Sequence, residues 1–307
     1  MNGGFQRDSR WPRWTDGPGA GGSWKEGPED FRVEELPHAP PSGAGEHDWY
    51  WIEKVGRTTP EVVRALAAAA GVSEAAVGFA GFKDREARTV QAFTVQLGRP
   101  VEALPPGMSI LSTGKTSHKL RNGQLAGNRF TLRIRGGDLA RAQARITRIE
   151  ATGVPNYYGK QRVGGDAPST GKALLCGRGP RLEFSALKFA VSAYQSLLFN
   201  EVLRARGARR LPGDLSLDDP PDIPTGPMFG PRMRWPVGEA AELERRILDG
   251  ERLPAGAWER FPKLTQGTRR PLWMRVAPEL EPAADGFWLR FSLPAGSYAT
   301  GVLEEVL

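Results

Sequence analysis

The 307 residues, 39% of them hydrophobic and with 38 Gly and 26 Pro among the rest, allow about two domains, or one large domain with an insertion and many turns. The 42 Lys+Arg outweigh the 35 Asp+Glu for a net charge of +7, and arginine far outnumbers lysine. This favours a polyanionic partner, nucleic acid rather than membrane. The single cysteine, Cys176, excludes a disulfide framework or cysteine metal cluster, His38, His47 and His118 lack metal-ligand spacing, and neither a membrane-length apolar run nor a secretory signal is visible, so the chain reads as cytoplasmic, metal-free and without membrane contact.

Residues 1–23, with Gly3-Gly4, Gly17-Pro18-Gly19 and Gly21-Gly22, are expected to form a disordered tail. Order begins near Trp24-Lys25. Phe31 and Val33 then alternate with charged residues as in a strand, and Trp49 to Val55 reads as a second. A helix follows, with Thr59 as N-cap, Pro60 at its first position and Gly71 closing it. Next come Gly78 to Phe93, in which Asp84 stands between Lys83 and Arg85 ahead of an apolar run from Thr89 to Val95. Neighbouring cations favour the ionised carboxylate, whether the turn is functional or a solvated charge triplet.

Lys115 to Arg148 carries nine cations against one acid, Asp138. Phe130, Leu132 and Ile134 alternate with Thr131, Arg133 and Arg135, so one sheet face is greasy and the other cationic, either solvated or tracking phosphates. Asp138 caps a helix lined by Leu139, Ala142, Ile146 and Ile149 that ends at Gly153. Tyr157 and Tyr158, beside Lys160 and Arg162, offer either stacking faces for single-stranded nucleic acid or loop anchors. A long helix spans Phe184 to Arg206, a Pro/Gly/Asp-rich stretch follows, and Glu239 to Leu248 is an amphipathic helix. Beyond Pro271 strands return, with Phe287, Leu289, Phe291 and Leu293 on one face, before a turn at 294–298 and a terminal helix. ATP and dinucleotide glycine loops, a nucleophile elbow and a histidine in a nucleophile context are all missing, so catalysis here would rest on a lone carboxylate with electrostatic help.

Six separated blocks, in order across residues 24–307, resemble the tRNA pseudouridine synthase D family. They are Lys25-x-x-Pro-Glu-Asp-Phe31-x-Val-x-Glu35, Phe79-Ala-Gly-Phe-Lys-Asp84, His118-Lys-Leu-Arg-Asn-Gly-x-Leu-x-Gly-Asn128-x-Phe, Val154-Pro-Asn-Tyr-Tyr-Gly-x-Gln-Arg162, Ser192-Ala-x-x-Ser-x-Leu-Phe-Asn200 and Leu293-Pro-Ala-Gly-Ser-Tyr-Ala-Thr300. The resemblance implies an α+β fold: a mixed, mostly antiparallel sheet with flanking helices, interrupted by a smaller α-rich insertion. A catalytic domain of residues 24–181 plus 273–307 would then enclose an inserted domain of 182–272. It implies isomerisation of uridine to pseudouridine at position 13 of tRNA, with no cofactor. Another RNA as substrate, or RNA binding without catalysis, are the alternative readings.

By the same resemblance Asp84 is the nucleophile and Lys25 its partner. Phe31, Asn156, Tyr158 and Tyr298 bind the target nucleotide, and Lys83, Arg85, Lys119, Arg121 and Arg162 are assigned to the RNA backbone. No protein partner is called for, and a monomer is expected. Tyr158 and Tyr298 stand where the best-known bacterial members have phenylalanine, so each adds a hydroxyl that needs a partner. The insertion is also shorter than in those members.

Overall fold

The computed structural model describes residues 11–216 and 222–307. Along the chain lie β1 (Phe31–Leu36), β2 (His47–Lys54), α1 (Thr59–Ala70), β3 (Val77–Phe79), β4 (Arg88–Gln96), β5 (Met108–Thr116), β6 (Gly127–Arg135), α2 (Leu139–Thr152) and β7 (Val154–Pro155). Then follow α3 (Lys160–Val163), α4 (Ala167–Leu175), α5 (Phe184–Arg206), β8 (Thr225–Met228), α6 (Gly238–Gly250), β9 (Thr268–Pro271), β10 (Trp273–Met274), β11 (Glu279–Ala283), β12 (Gly286–Pro294) and α7 (Ala299–Val306).

Local sequence accounts for most of these boundaries. At α1 the cap is Thr58, one residue earlier than expected: its hydroxyl accepts from the Glu61 N–H while Glu61 reaches back to the cap, and Gly71 ends the helix at φ 72°. Asp138 caps α2 by accepting from the Arg141 N–H, and Gly153 follows the last turn. In β6 from Phe130 onward, and throughout β12, every second side chain is buried, the period of a half-buried strand.

Eight strands form one sheet in the order β11-β12-β6-β1-β4-β2-β5, with β3 also on β4. The β1–β4 pair is parallel and the other pairs are antiparallel, so the expected mixed, mostly antiparallel α+β sheet is what the chain builds. Because β2 occupies one edge of β4 from Thr89 to Gln96, β1 and β3 share the other edge. β1 pairs as far as Val90, and β3 takes over at Phe93. Between them the Ala92 N–H is met by the Glu35 carboxylate. The turn carrying Asp84 leaves the sheet from this split.

One core packs Phe31, Val33, Phe130, Leu132, Phe287, Leu289, Phe291 and Leu293 against α2 and α7. A second packs Tyr50, Ile52, Phe93 and Val95 against α1. β7 pairs with β10, and β8 with β9, which ties the 225–274 region back to residues 154–155.

The N-terminal segment corrects an expectation. From Trp11 onward it is packed: Trp11 and Trp14 are buried, and Trp11 stacks on Tyr157 at 5.4 Å. Glu305 and Arg145 are 2% and 4% exposed, and residues 14–18 supply their partners: Glu305 accepts from the Trp14 and Thr15 N–H groups, while Arg145 donates to carbonyls of Thr15, Gly17 and Pro18. Buried charges must be paired, which orders a glycine-rich segment. Ser23 then bridges to Arg135. The rest of the expected tail, residues 1–10, lies outside the described residues.

Candidate active site

Lys25 adopts φ 66°, a left-handed conformation that a lysine occupies at a cost, and its side chain turns towards the Asp84 turn. Its Nζ lies 2.7 Å from Asp84 Oδ2 and 2.9 Å from Glu86 Oε2, and 5.3 Å above the centre of the Phe31 ring. The other Asp84 oxygen, Oδ1, accepts from the Glu86 N–H at 3.1 Å. Partial burial pushes the Asp84 carboxyl up. The Lys25 hydrogen bond, the Glu86 N–H and the charges of Lys25 and Lys54 outweigh that and hold it below the usual carboxylate range. Asp84 is therefore an anion with 44% of its side chain open to solvent.

The main chain beneath is pinned by buried polar groups. Lys54, 1% exposed, donates to the carbonyls of Asp84 at 2.8 Å and Arg57 at 2.7 Å. The Lys83 N–H donates to Thr59 Oγ1, whose hydroxyl donates to Gln91 Oε1, and Gln91 Nε2 donates to the Gly81 carbonyl. Lys83 Nζ pairs with Glu35 at 2.9 Å, with side-chain exposures of 5% and 1%. The expectation that Lys83 contacts RNA backbone is thereby corrected: its ammonium points into the sheet, where Glu35 neutralises it.

Lys54 was not singled out from sequence, although Tyr50, Ile52 and Lys54 share one strand face, and a lysine in phase with buried apolar residues is a readable signal. Burial is the largest influence on its pKa and, with Lys83 acting in the same direction against Asp84 and Glu61, pushes it from 10.5 to about 8. Lys54 is charged below about pH 8 and neutral above, so Asp84 loses a flanking cation as pH rises through that value. We expect the turnover rate at saturating RNA to fall about tenfold between pH 7 and pH 9, following the protonated fraction of a group titrating near 8. A Lys54→Met variant should be slower and flat over the same range. A wild-type profile without an alkaline limb there would refute this. Because the folded pKa lies below the unfolded one, charged Lys54 costs stability at neutral pH, and that cost is lifted between about pH 8 and 10.5.

A second cluster forms where β7 meets β10. Asn156 is 3% exposed; its Nδ2 donates to the Pro271 carbonyl at 2.9 Å and its Oδ1 accepts from Arg270 at 2.5 Å. The Arg270 guanidinium lies 4.3 Å from the Tyr158 ring centre and donates to the Gly296 carbonyl at 3.3 Å. Tyr298 meets Tyr158 edge-on at 6.2 Å. The extra hydroxyl of Tyr158 points at Met228 Sδ, 3.7 Å away, and its N–H donates to Asn200. Tyr157 and Tyr158 are both buried, so in this state the tandem tyrosines act as anchors. Arg270, unassigned in the sequence, is half-buried against these rings, and the loss of solvent around its guanidinium lowers its pKa.

Of the six residues assigned to catalysis and nucleotide binding, Lys25, Phe31 and Asp84 meet in the first cluster, and Asn156, Tyr158 and Tyr298 in the second. Phe31, Asn156 and Tyr158 are each less than a tenth exposed, covered by Lys25 and Trp24 in one case and Arg270 in the other. Among the assigned backbone cations, Arg85 and Arg121 are exposed, Lys119 bonds the Ala75 carbonyl, and Arg162 lies 5.5 Å from the Phe189 ring centre.

The cationic sheet face is largely neutralised. Arg129 pairs with Glu34, Arg133 with Asp285, and Arg135 with Asp30 and Asp285. A cavity of about 420 Å³ on that face, lined by Arg32, Glu34, Arg88, Arg129 and Arg290, lies across the sheet from Phe31. Among the described residues no group of three or more His, Cys, Asp or Glu side chains could hold a metal ion, and no helix is long and apolar enough to cross a membrane.

Comparison with known proteins places these residues in context. Residues 12–178 and 219–306 match the model of the family tRNA pseudouridine synthase D (TruD). The chain is 40% identical to a tRNA pseudouridine synthase D of Anaeromyxobacter dehalogenans, over 95% of this chain and 94% of that one. It is 38% identical to one from Thermus thermophilus, over 98% and 93%. Its fold matches the crystal structure of a protein from Methanosarcina mazei described as a putative tRNA pseudouridine synthase D, with a TM-score of 0.75, 21% identity, and 96% and 95% of the two chains covered.

Proposed function

The chain belongs to the tRNA pseudouridine synthase D family and is a tRNA pseudouridine synthase; from that premise we propose that its target is the uridine at position 13 and that Asp84 begins the chemistry. The observation that carries the reading is the Lys25–Asp84 contact: an ionised, solvent-reachable carboxylate held by a lysine 59 residues away, on a turn pinned from below. Isomerisation breaks the N1–C1′ bond, turns the base and rejoins it through C5. Asp84 opens that bond either by attacking the sugar carbon or by taking a sugar proton, and both routes need the anion that Lys25 maintains.

The target nucleotide must leave its stack to reach Asp84, at an unstacking cost on the order of a few kcal/mol. Phe31 and Tyr158 flank the extruded base in this reading. The planar guanidinium of Arg270 now lies on the Tyr158 face, which supports that face as a stacking platform. Asn156 acts on the polar edge of the base through Arg270, which it orients, and Tyr298 closes the pocket. Residues 182–272 form the second wall for RNA, and Arg85 and Arg121 are its exposed backbone contacts. The same reading takes the protein to be a monomer working where tRNA is found, in the cytoplasm.

The purified protein should release tritium from tRNA labelled at C5 of uridine, with the product mapping to one position. Lys25→Met should lower kcat by roughly 10²-fold, in the range of losing a group that supports general acid–base or nucleophilic chemistry, while tRNA affinity changes little. The opposite pattern, weak binding with near-normal kcat, would make Lys25 a phosphate clamp. No tritium release from any tRNA would defeat the functional reading.

A further inference from the structure

Phe82 stands two residues before Asp84 with 68% of its surface exposed. A lone exposed apolar side chain needs no explanation by itself. Phe82 differs because its surroundings hold it out. On its N-terminal side the Gly81 carbonyl accepts from Gln91, and on its C-terminal side the Lys83 N–H donates to Thr59, both at 3.0 Å. Gln91 and Thr59 are completely buried and bonded to each other. The ring leans edge-on against Phe79 at 5.2 Å, and Phe79 in turn packs against Phe93 of the sheet. Two residues on, Lys54 fixes the Asp84 carbonyl. One rigid frame thus presents an aromatic ring and an ionised carboxylate to solvent on the same turn.

We propose that Phe82 is a wedge: its ring enters the RNA stack at the place the target uridine vacates, and so keeps that nucleotide extruded towards Asp84. Removing a base leaves its neighbours without a stacking partner, and an inserted aromatic ring replaces that contact. Two cations accompany it: Arg85, exposed three residues on and available to phosphates, and Lys25, which holds Asp84 from above the Phe31 ring. This deepens the tRNA pseudouridine synthase reading and rests on it.

The experiment uses full-length protein and a synthetic tRNA carrying 2-aminopurine next to the target uridine, whose emission rises when it loses its neighbour. Asp84→Asn protein, which binds without turnover, should raise the emission about threefold or more, because the phenyl ring that takes the place of the extruded base quenches 2-aminopurine less than a stacked base does. Adding Phe82→Ala should abolish most of that rise with tRNA affinity within about threefold, and Phe82→Tyr should restore it, because stacking needs only the ring. With Asp84 intact, Phe82→Ala should lower kcat about tenfold or more and leave KM nearly unchanged, as for an interaction made on the way to the transition state. Its melting curve should match wild type, because the side chain is exposed. An emission rise that does not depend on the Phe82 ring overturns the wedge and leaves the enzyme reading intact. No rise even with Asp84→Asn overturns extrusion and the wedge together, and failure of the wild type to form pseudouridine overturns the function itself.

Discussion

Replacing Asp84 by asparagine is expected to abolish pseudouridine formation, with a loss on the order of 10⁴-fold or more, the scale on which removal of an acting nucleophile falls. Asparagine is nearly isosteric and can still accept the Glu86 N–H, while Lys25 keeps its second partner, Glu86, at 2.9 Å. The turn is held by its main chain, through the Lys54 contact to the Asp84 carbonyl, so the substitution should leave the fold and the melting temperature almost unchanged. RNA affinity, which rests mainly on phosphate contacts, should stay within about threefold. What disappears is the anion, and with it both the attack on carbon and the abstraction of a sugar proton. Asp84→Ala serves as a check on repair of the asparagine by deamidation. Residual turnover above about 1% of wild type in the alanine variant, more than loss of a nucleophile permits, would move the chemistry to another residue.

The difference between what the sequence displayed and what it concealed follows the range of the interactions. Elements set by local punctuation were legible: the amphipathic α2 between Asp138 and Gly153, α5 from Phe184 to Arg206, and the alternating β6 and β12. The turn carrying Asp84 was legible as a strand-to-strand turn, and the family blocks led from it to Lys25. Helix α4 was missed because Ala-Pro-Ser-Thr-Gly-Lys reads as loop. Its Gly171 is instead a contact point, where a Cβ would lie 2.2 Å from the Ala190 carbonyl of α5. Cross-strand register was invisible, so the arginines of β6 looked unopposed, although Glu34 stands beside them on β1 and Asp285 reaches them from the turn between β11 and β12. Trp11 and Trp14 were outweighed by nearby glycines, and the buried Glu305 and Arg145 that recruit their segment lie more than a hundred residues away. Arg270 shares a sheet with neither Asn156 nor Tyr158, and only the pairing of β7 with β10 brings them together.

The largest effect on stability is expected at Lys83. Sequence order makes it a twin of Arg85, flanking Asp84, yet the two point opposite ways: Arg85 is exposed, and Lys83 is buried against Glu35. Glu35 belongs to β1 in phase with Phe31 and Val33, and one of its oxygens is already committed to the Ala92 N–H where β1 leaves β4. Lys83→Met keeps the stem volume and removes the charge, which strands a carboxylate that is 1% exposed. A cost of about 3–5 kcal/mol in unfolding free energy follows from leaving one member of a buried pair uncompensated. The pair itself need not be a net stabiliser, so adding Glu35→Gln, whose amide oxygen can still accept from Ala92, should recover most of the loss. Chemical denaturation of the single and double variants measures both quantities. Loss below about 1 kcal/mol, the worth of a surface pair, would put the Lys83 ammonium back in solvent and restore it as a phosphate contact. The RNA titration separates the two cases: a buried Lys83 contributes nothing to the salt dependence of tRNA affinity in the stabilised double variant, whereas a phosphate contact would lower the slope by about one.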